Sequence, residues 1–165
     1  MTSLPPAECC TTGFLHEGIP QGLMEKIESS ESPQFRYLSQ TPSSRENNLP
    51  RSLVPTYFAR PTNPNGNAIL IFSDVFGPVY QNVQLMADHF AAKGYLTVVP
   101  DLFHGDSLNP DNFFGGKVDL PEWLTRHDTA TVDPVVDIVI DHLKNSLKVK
   151  KLAGVGYCIG GKVSA

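Results

Sequence analysis

The alternation of apolar and polar positions changes character near residue 68. "AILIFS" (68–73) is a continuous apolar run, the pattern of a strand covered on both faces. "NVQLMADHFAAKG" (82–94) follows, with Val83, Met86, Ala87, Phe90 and Ala91 at helical spacing. It closes on Lys93 and Gly94, and glycine tolerates the left-handed cap that ends many helices. "YLTVVP" (95–100) predicts a second buried strand and "KLAGVGY" (151–157) a third. "DPVVDIVIDHL" (133–143) predicts a helix with Asp133 at the N-cap and Pro134 at the first helical position. A polar stretch from Asp101 to about Ala130, carrying the single tryptophan Trp123, interrupts the pattern. Upstream, residues 1–52 are rich in Ser, Pro, Thr and Asn with little periodicity, and "SQTPSSRENNLPRS" (39–52) reads as a loop or insertion. "TYFAR" (56–60), closed by Pro61, predicts a strand near a sheet edge.

Strand, helix, strand, helix, strand implies right-handed βαβ units and therefore an α/β domain with a mostly parallel sheet. Asp74, Asp101 and Cys158 each follow the C-terminal end of such a strand. Open α/β sheets bind ligands at that edge, so these residues are expected to converge although they lie far apart in sequence. A chain of 165 residues fits one domain, residues 1–165, with a loop-rich N-terminal segment over 1–52.

Composition narrows the function. With 41% hydrophobic and 18% charged residues and a net charge of −4, there is no basic excess to favour nucleic acid or an anionic membrane surface. The longest apolar stretch is too short to span a bilayer. The first 25 residues lack the basic start and apolar core of a signal peptide. The cysteines Cys9, Cys10 and Cys158 are an odd and sparse set, which argues against a disulfide framework and for a reducing, cytoplasmic setting. Cys9, Cys10 and His16 make an awkward zinc chelate with no fourth ligand at a suitable spacing.

Chemistry concentrates in "GVGYCIGG" (154–161). In one reading it is a strand-to-helix elbow: Gly156 and Gly160 let backbones approach, and a strained turn lifts the Cys158 sulfur into the site. The Ile159 N–H then points where an oxyanion would form, and the helix start favours thiolate. In another, Gly154, Gly156 and Gly160 form a dinucleotide-binding turn of an oxidoreductase. That motif needs an acidic residue roughly 20 positions on, and only five residues follow Gly160. A third possibility is a buried core cysteine at a tight helix–strand contact.

"AILIFSDVFGP", "ADHFAAKGYLTVVPDLFHGD", "PEWLTRHDTATVDPVV" and "GVGYCIGGK" together resemble the dienelactone hydrolase family of α/β-hydrolases. The N-terminal "CCTTGFLHEGIPQG" and "VPTYFARP" are similar to its fungal-type members. The resemblance implies a three-layer α/β-hydrolase fold and cofactor-free hydrolysis of a small lactone or ester, with a Cys, an Asp and a His. It assigns the nucleophile to Cys158, an acidic residue controlling the resting thiol to Asp74, and the two oxyanion N–H groups to Val75 and Ile159. For a substrate carboxylate it offers Lys117, and more loosely Arg126. All five histidines (His16, His89, His104, His127, His142) precede Cys158, whereas the α/β-hydrolase order is nucleophile, acid, histidine. The triad Asp and His are accordingly expected beyond Ala165, the domain is expected to be incomplete in this chain, and the chain alone is expected to be inactive. A non-catalytic fragment or interaction module is the alternative of a different class. His104 reads as a solvated loop residue rather than a replacement base. Asp101 and Asp106 are expected to shape their loop through side-chain to backbone bonds. Trp123 reads as an anchor for the insertion, or as a pocket-lining residue.

Overall fold

The computed structural model describes residues 14–29 and 53–163. The 39–52 segment, Cys9 and Cys10 lie outside the described residues. Five strands form one sheet in the order β1-β2-β4-β3-β5. They are β1 (Leu23–Glu28), β2 (Leu53–Ala59), β3 (Ala68–Phe72), β4 (Leu96–Pro100) and β5 (Leu152–Gly156). β3 runs parallel to both β4 and β5, while β2 is antiparallel to β4 and to β1.

The period of two in the strands builds both faces of the sheet. Leu70 and Val98 turn to one side, where they meet Val132, Val135 and Val139 of a long helix, α4 (Thr129–Asp141). Ile71 and Val99 turn to the other, where Val83, Ala87 and Ala91 of α1 (Gln81–Ala91) cover them. Two such layers on one sheet are what the continuous apolar runs require, and together they make a three-layer α/β arrangement. Gly94 takes the left-handed conformation, φ +92°, just after α1.

Four local expectations need correction. β2 is interior to the sheet, because β1 pairs along its outer side from Leu23↔Phe58 to Glu28↔Leu53. The sequence hides β1 because only Ile27 of "LMEKIE" is buried, as suits an edge strand. β5 is less buried than its composition implies, since among the described residues it pairs only with β3 and leaves Ala153 and Gly154 exposed. The 101–130 stretch contains two short helices, α2 (Pro110–Phe114) and α3 (Leu120–Arg126). Their N-caps Asn109 and Asp119 accept from the Asn112 and Glu122 N–H groups at 3.1 and 3.0 Å.

The last correction concerns the start of α4. Asp128, not Asp133, is its N-cap, and its carboxylate accepts from Thr131 N–H at 3.0 Å. Pro134 therefore lies inside the helix, where it lacks the N–H for one helical bond. An N-cap satisfies an otherwise orphaned N–H, so Asp128→Ala is expected to destabilise the protein by about 1 kcal/mol. Asp133→Ala, at an exposed mid-helix position, is expected to change stability by less than about 0.5 kcal/mol. Urea unfolding of both variants checks this, and the reverse order would place the helix start at Asp133.

Candidate active site

Parallel pairing brings two distant segments into line. Phe72 of β3 pairs with Gly156 of β5, and Asp74 and Cys158 each lie two residues further on. They are thus in the same row just past the ladder, at the C-terminal edge of adjacent strands. The Tyr157 N–H donates to the Phe72 carbonyl at 3.0 Å and carries the pairing one residue beyond β5.

There the chain turns sharply. Cys158 has φ +54°, left-handed backbone that costs a non-glycine residue roughly 1–2 kcal/mol. Hydrogen bonds from Gly160 N–H to the Tyr157 carbonyl (2.9 Å) and from Gly161 N–H to the Cys158 carbonyl (3.1 Å) close the turn. The short helix α5 (Gly160–Val163) starts at once. Two glycines make the crowding possible. A Cβ on Gly156 would stand 2.2 Å from the Gly160 carbonyl oxygen, and one on Gly160 would stand 2.2 Å from that of Phe72 and 2.7 Å from that of Ser73. Both are needed for space, and the strained dihedral falls on Cys158 instead. Cys158 is exposed and carries no disulfide among the described residues.

Asp74 emerges from β3 into a tight turn. Its carboxylate accepts from Phe76 N–H at 2.9 Å and its carbonyl from Gly77 N–H at 3.2 Å. Burial pushes the Asp74 carboxyl above the usual carboxylate range, and the Phe76 bond opposes that shift. The Tyr80 phenol is raised too, first by burial and then by the nearby Asp74 charge. The buried Val75 accepts from Leu108 N–H at 2.8 Å, tying the Asp74 turn to the 101–108 loop. Ser73, just before Asp74, is fully buried, and its hydroxyl has no hydrogen-bond partner among the described residues.

The 101–127 region is held by its own network. Asp101 accepts from Phe103 N–H (3.0 Å) and Gly105 N–H (2.6 Å), the loop-shaping bonds expected of it. Burial raises its pKa, while those bonds and the neighbouring His104 and His127 act the other way. Asp106 departs from expectation: its carboxylate faces Arg126 Nη2 at 3.2 Å and His127 Nε2 at 3.4 Å. Its carbonyl accepts from Trp123 Nε1 at 2.8 Å. Trp123, 2% exposed, stacks on His127 at 4.1 Å and meets the Phe103 ring edge-on at 4.9 Å, so it anchors this region to the core. The Arg126 guanidinium also pairs with Glu122. Lys117 is exposed in the turn after α2. His104 is half-buried with φ +53°. Sequence reasoning passed over Tyr80 and the rings grouped near it, because a Tyr after a Gly-Pro turn carries no motif of its own.

A mostly parallel sheet between helical layers, with a residue at left-handed φ on the strand-to-helix turn between β5 and α5, has the architecture of the α/β-hydrolase fold. A solved structure from Klebsiella pneumoniae, described as that of a protein assigned as a dienelactone hydrolase, shares that fold, with a TM-score of 0.51 and 21% identity over 86% of this chain and 52% of its own. The sequence profile of the dienelactone hydrolase family matches residues 54–165, and the chain belongs to that family. It is 37% identical to the hydrolase pyvD of Aspergillus violaceofuscus, over 98% of this chain and 56% of that protein. It is 31% identical to a carboxymethylenebutenolidase homolog of Xenopus tropicalis, over 67% of this chain and 44% of that protein. The chain thus spans about half the length of the curated relatives it matches. No helix among the described residues is long and apolar enough to cross a membrane.

The raised Asp74 pKa has a stability consequence. A carboxyl that binds its proton more tightly folded than unfolded favours the fold below its unfolded value, and this contribution is lost as pH rises through the raised folded value. An asparagine still accepts the Phe76 N–H without carrying the charge. Asp74→Asn is therefore expected to be more stable than the parent at pH 7, the gap closing as pH falls below about 4. Thermal unfolding of both proteins across that range checks it, and a less stable variant at pH 7 would contradict the burial argument.

Proposed function

We propose that this chain carries the nucleophile and oxyanion site of a cysteine-dependent hydrolase acting on a small lactone or ester. The observation that carries the reading is the left-handed Cys158 at the apex of a turn whose neighbours, Gly156 and Gly160, leave no room for a side chain. Backbone strain held so firmly at a reactive residue belongs to sites that must aim that residue. The Cys158 sulfur attacks the acyl carbon, and the N–H groups of Val75 and Ile159 stabilise the oxyanion. The C–O bond breaks, and the leaving oxygen takes the proton that the thiol gave to a general base. Water then hydrolyses the thioester, releasing the acid and restoring the thiol. The buried Asp74 carboxylate opposes thiolate formation at rest and so limits unproductive alkylation.

No histidine follows Cys158 in this chain, so the reading assigns the base and its acidic partner to the half of the relatives' length that the chain does not span. It follows that residues 1–165 by themselves hydrolyse no ester at a useful rate. A model thiol is only a few per cent thiolate at neutral pH, so the attack needs the assistance of a base. The reading needs no cofactor, takes a small molecule as its partner, and suits a reducing, cytoplasmic setting that keeps Cys158 a thiol.

In a protein of the relatives' full length carrying this chain, Cys158→Ala is expected to lower ester or lactone hydrolysis by about a thousandfold or more. A Cys9→Ala, Cys10→Ala double variant is expected to keep its rate. If Cys158→Ala retains more than about a tenth of the activity, equivalent to under ~1.4 kcal/mol of barrier, the nucleophile is another residue.

A further inference from the structure

Two residues past Asp74, the ring of Phe76 begins a graded aromatic wall. Phe76 is 9% exposed, and its ring centroid lies 4.9 Å from Tyr80, 5.4 Å from Phe113 and 5.6 Å from Phe114. Phe113 and Phe114 stand edge-to-face at 5.4 Å on α2, and Phe114 is 46% exposed. The wall therefore starts at the Asp74 turn, inside the fold, and opens to solvent on a five-residue helix that contributes no fully buried residue to the core. Rings in offset or edge-to-face contact offer a further ring the same favourable geometry.

The segment that carries Phe113 and Phe114 has one dominant sign of charge. Between residues 101 and 128, Asp101, Asp106, Asp111, Asp119, Glu122 and Asp128 outnumber Lys117 and Arg126. Arg126 is held by Glu122 and Asp106, and Arg60, the other arginine among the described residues, is held by Glu25 and lies over the Phe58 ring. Asp74 adds a carboxylate at the site itself. An anionic substrate approaching along this wall meets like charge, while an uncharged ring meets only π-faces and edges.

We propose that Phe114, with Phe113 and Phe76 behind it, forms a specificity subsite for an uncharged aromatic ring attached or fused to the scissile lactone or ester. The assignment of the reaction rests on the Cys158 reading above, whereas binding of the ring does not, and the test separates the two. In a full-length protein with Cys158→Ala, coumarin, coumarin-3-carboxylate and δ-valerolactone serve as probes, with dissociation constants measured by ligand-observed NMR. Coumarin is expected to bind more tightly than either of the others. Adding Phe114→Ala is expected to weaken coumarin about fivefold or more and to leave δ-valerolactone within about twofold, while Phe114→Tyr restores coumarin. Because α2 buries nothing fully, the Phe114 variants should keep the parent's melting temperature, which is measured alongside. Unchanged coumarin binding in Phe114→Ala would overturn the subsite. So would preferred binding of coumarin-3-carboxylate that is lost in Lys117→Ala. Loss of hydrolysis in Cys158→Ala with coumarin binding intact supports both readings, and retained hydrolysis with Phe114-dependent binding removes only the nucleophile.

Discussion

The approach of the β5 turn to the end of β3 is the constraint on which the rest of the site depends. Main-chain atoms at Gly160 lie so close to the Phe72 and Ser73 carbonyls that no side chain fits between them. The β3–β5 ladder and its extension through Tyr157 fix that approach. Once it is fixed, the turn has little choice. Cys158 takes the left-handed conformation and is exposed at the sheet edge, and Asp74 stands in the same row one strand away. Backbone hydrogen bonding and an apolar sheet hold the strain that a flexible loop would release.

A second level of control comes from the 101–128 region. The Leu108–Val75 hydrogen bond joins it to the Asp74 turn. Trp123 pins it from the other end by stacking on His127 and donating to the Asp106 carbonyl. The Asp74 turn is thus clamped between the elbow and a loop anchored in the core. Burial of Asp74 is the electrostatic result of this clamping. The same loop supplies acidic charge and the exposed Phe114 ring, so one segment both rigidifies the site and gives it chemical character.

Much of this was legible in the sequence because it depends on period and spacing. The apolar runs at 68–73 and 95–100 gave their strands to within a residue, and the 82–94 pattern gave α1. What resisted reading was set by partners distant in sequence. β1 has one buried side chain and is a strand only because β2 lies beside it. Asp128 and Asp133 are both sound N-cap residues, and Pro134 drew the choice to the wrong one; packing of Val132 against the sheet extends the helix upstream of the proline. The glycines of "GVGYCIGG" suggested a turn, but the elbow and dinucleotide readings differ in where the positive φ falls. Only the fold places it on Cys158 and on none of the four glycines of that stretch. Tyr80 near Asp74 and the Phe76–Phe114 contact arise from folding back across a loop, which no local pattern encodes.

The central claim is that the strained turn exists to present Cys158 as a nucleophile. The most direct measurement is peptide mass mapping of a full-length protein quenched in acid during turnover of an activated ester such as p-nitrophenyl acetate. The account predicts an acyl group on the peptide containing Cys158, formed within one turnover and released by hydroxylamine as a thioester is. Full catalytic turnover with Cys158 unmodified, or with the acyl group on a serine or another cysteine, would contradict it.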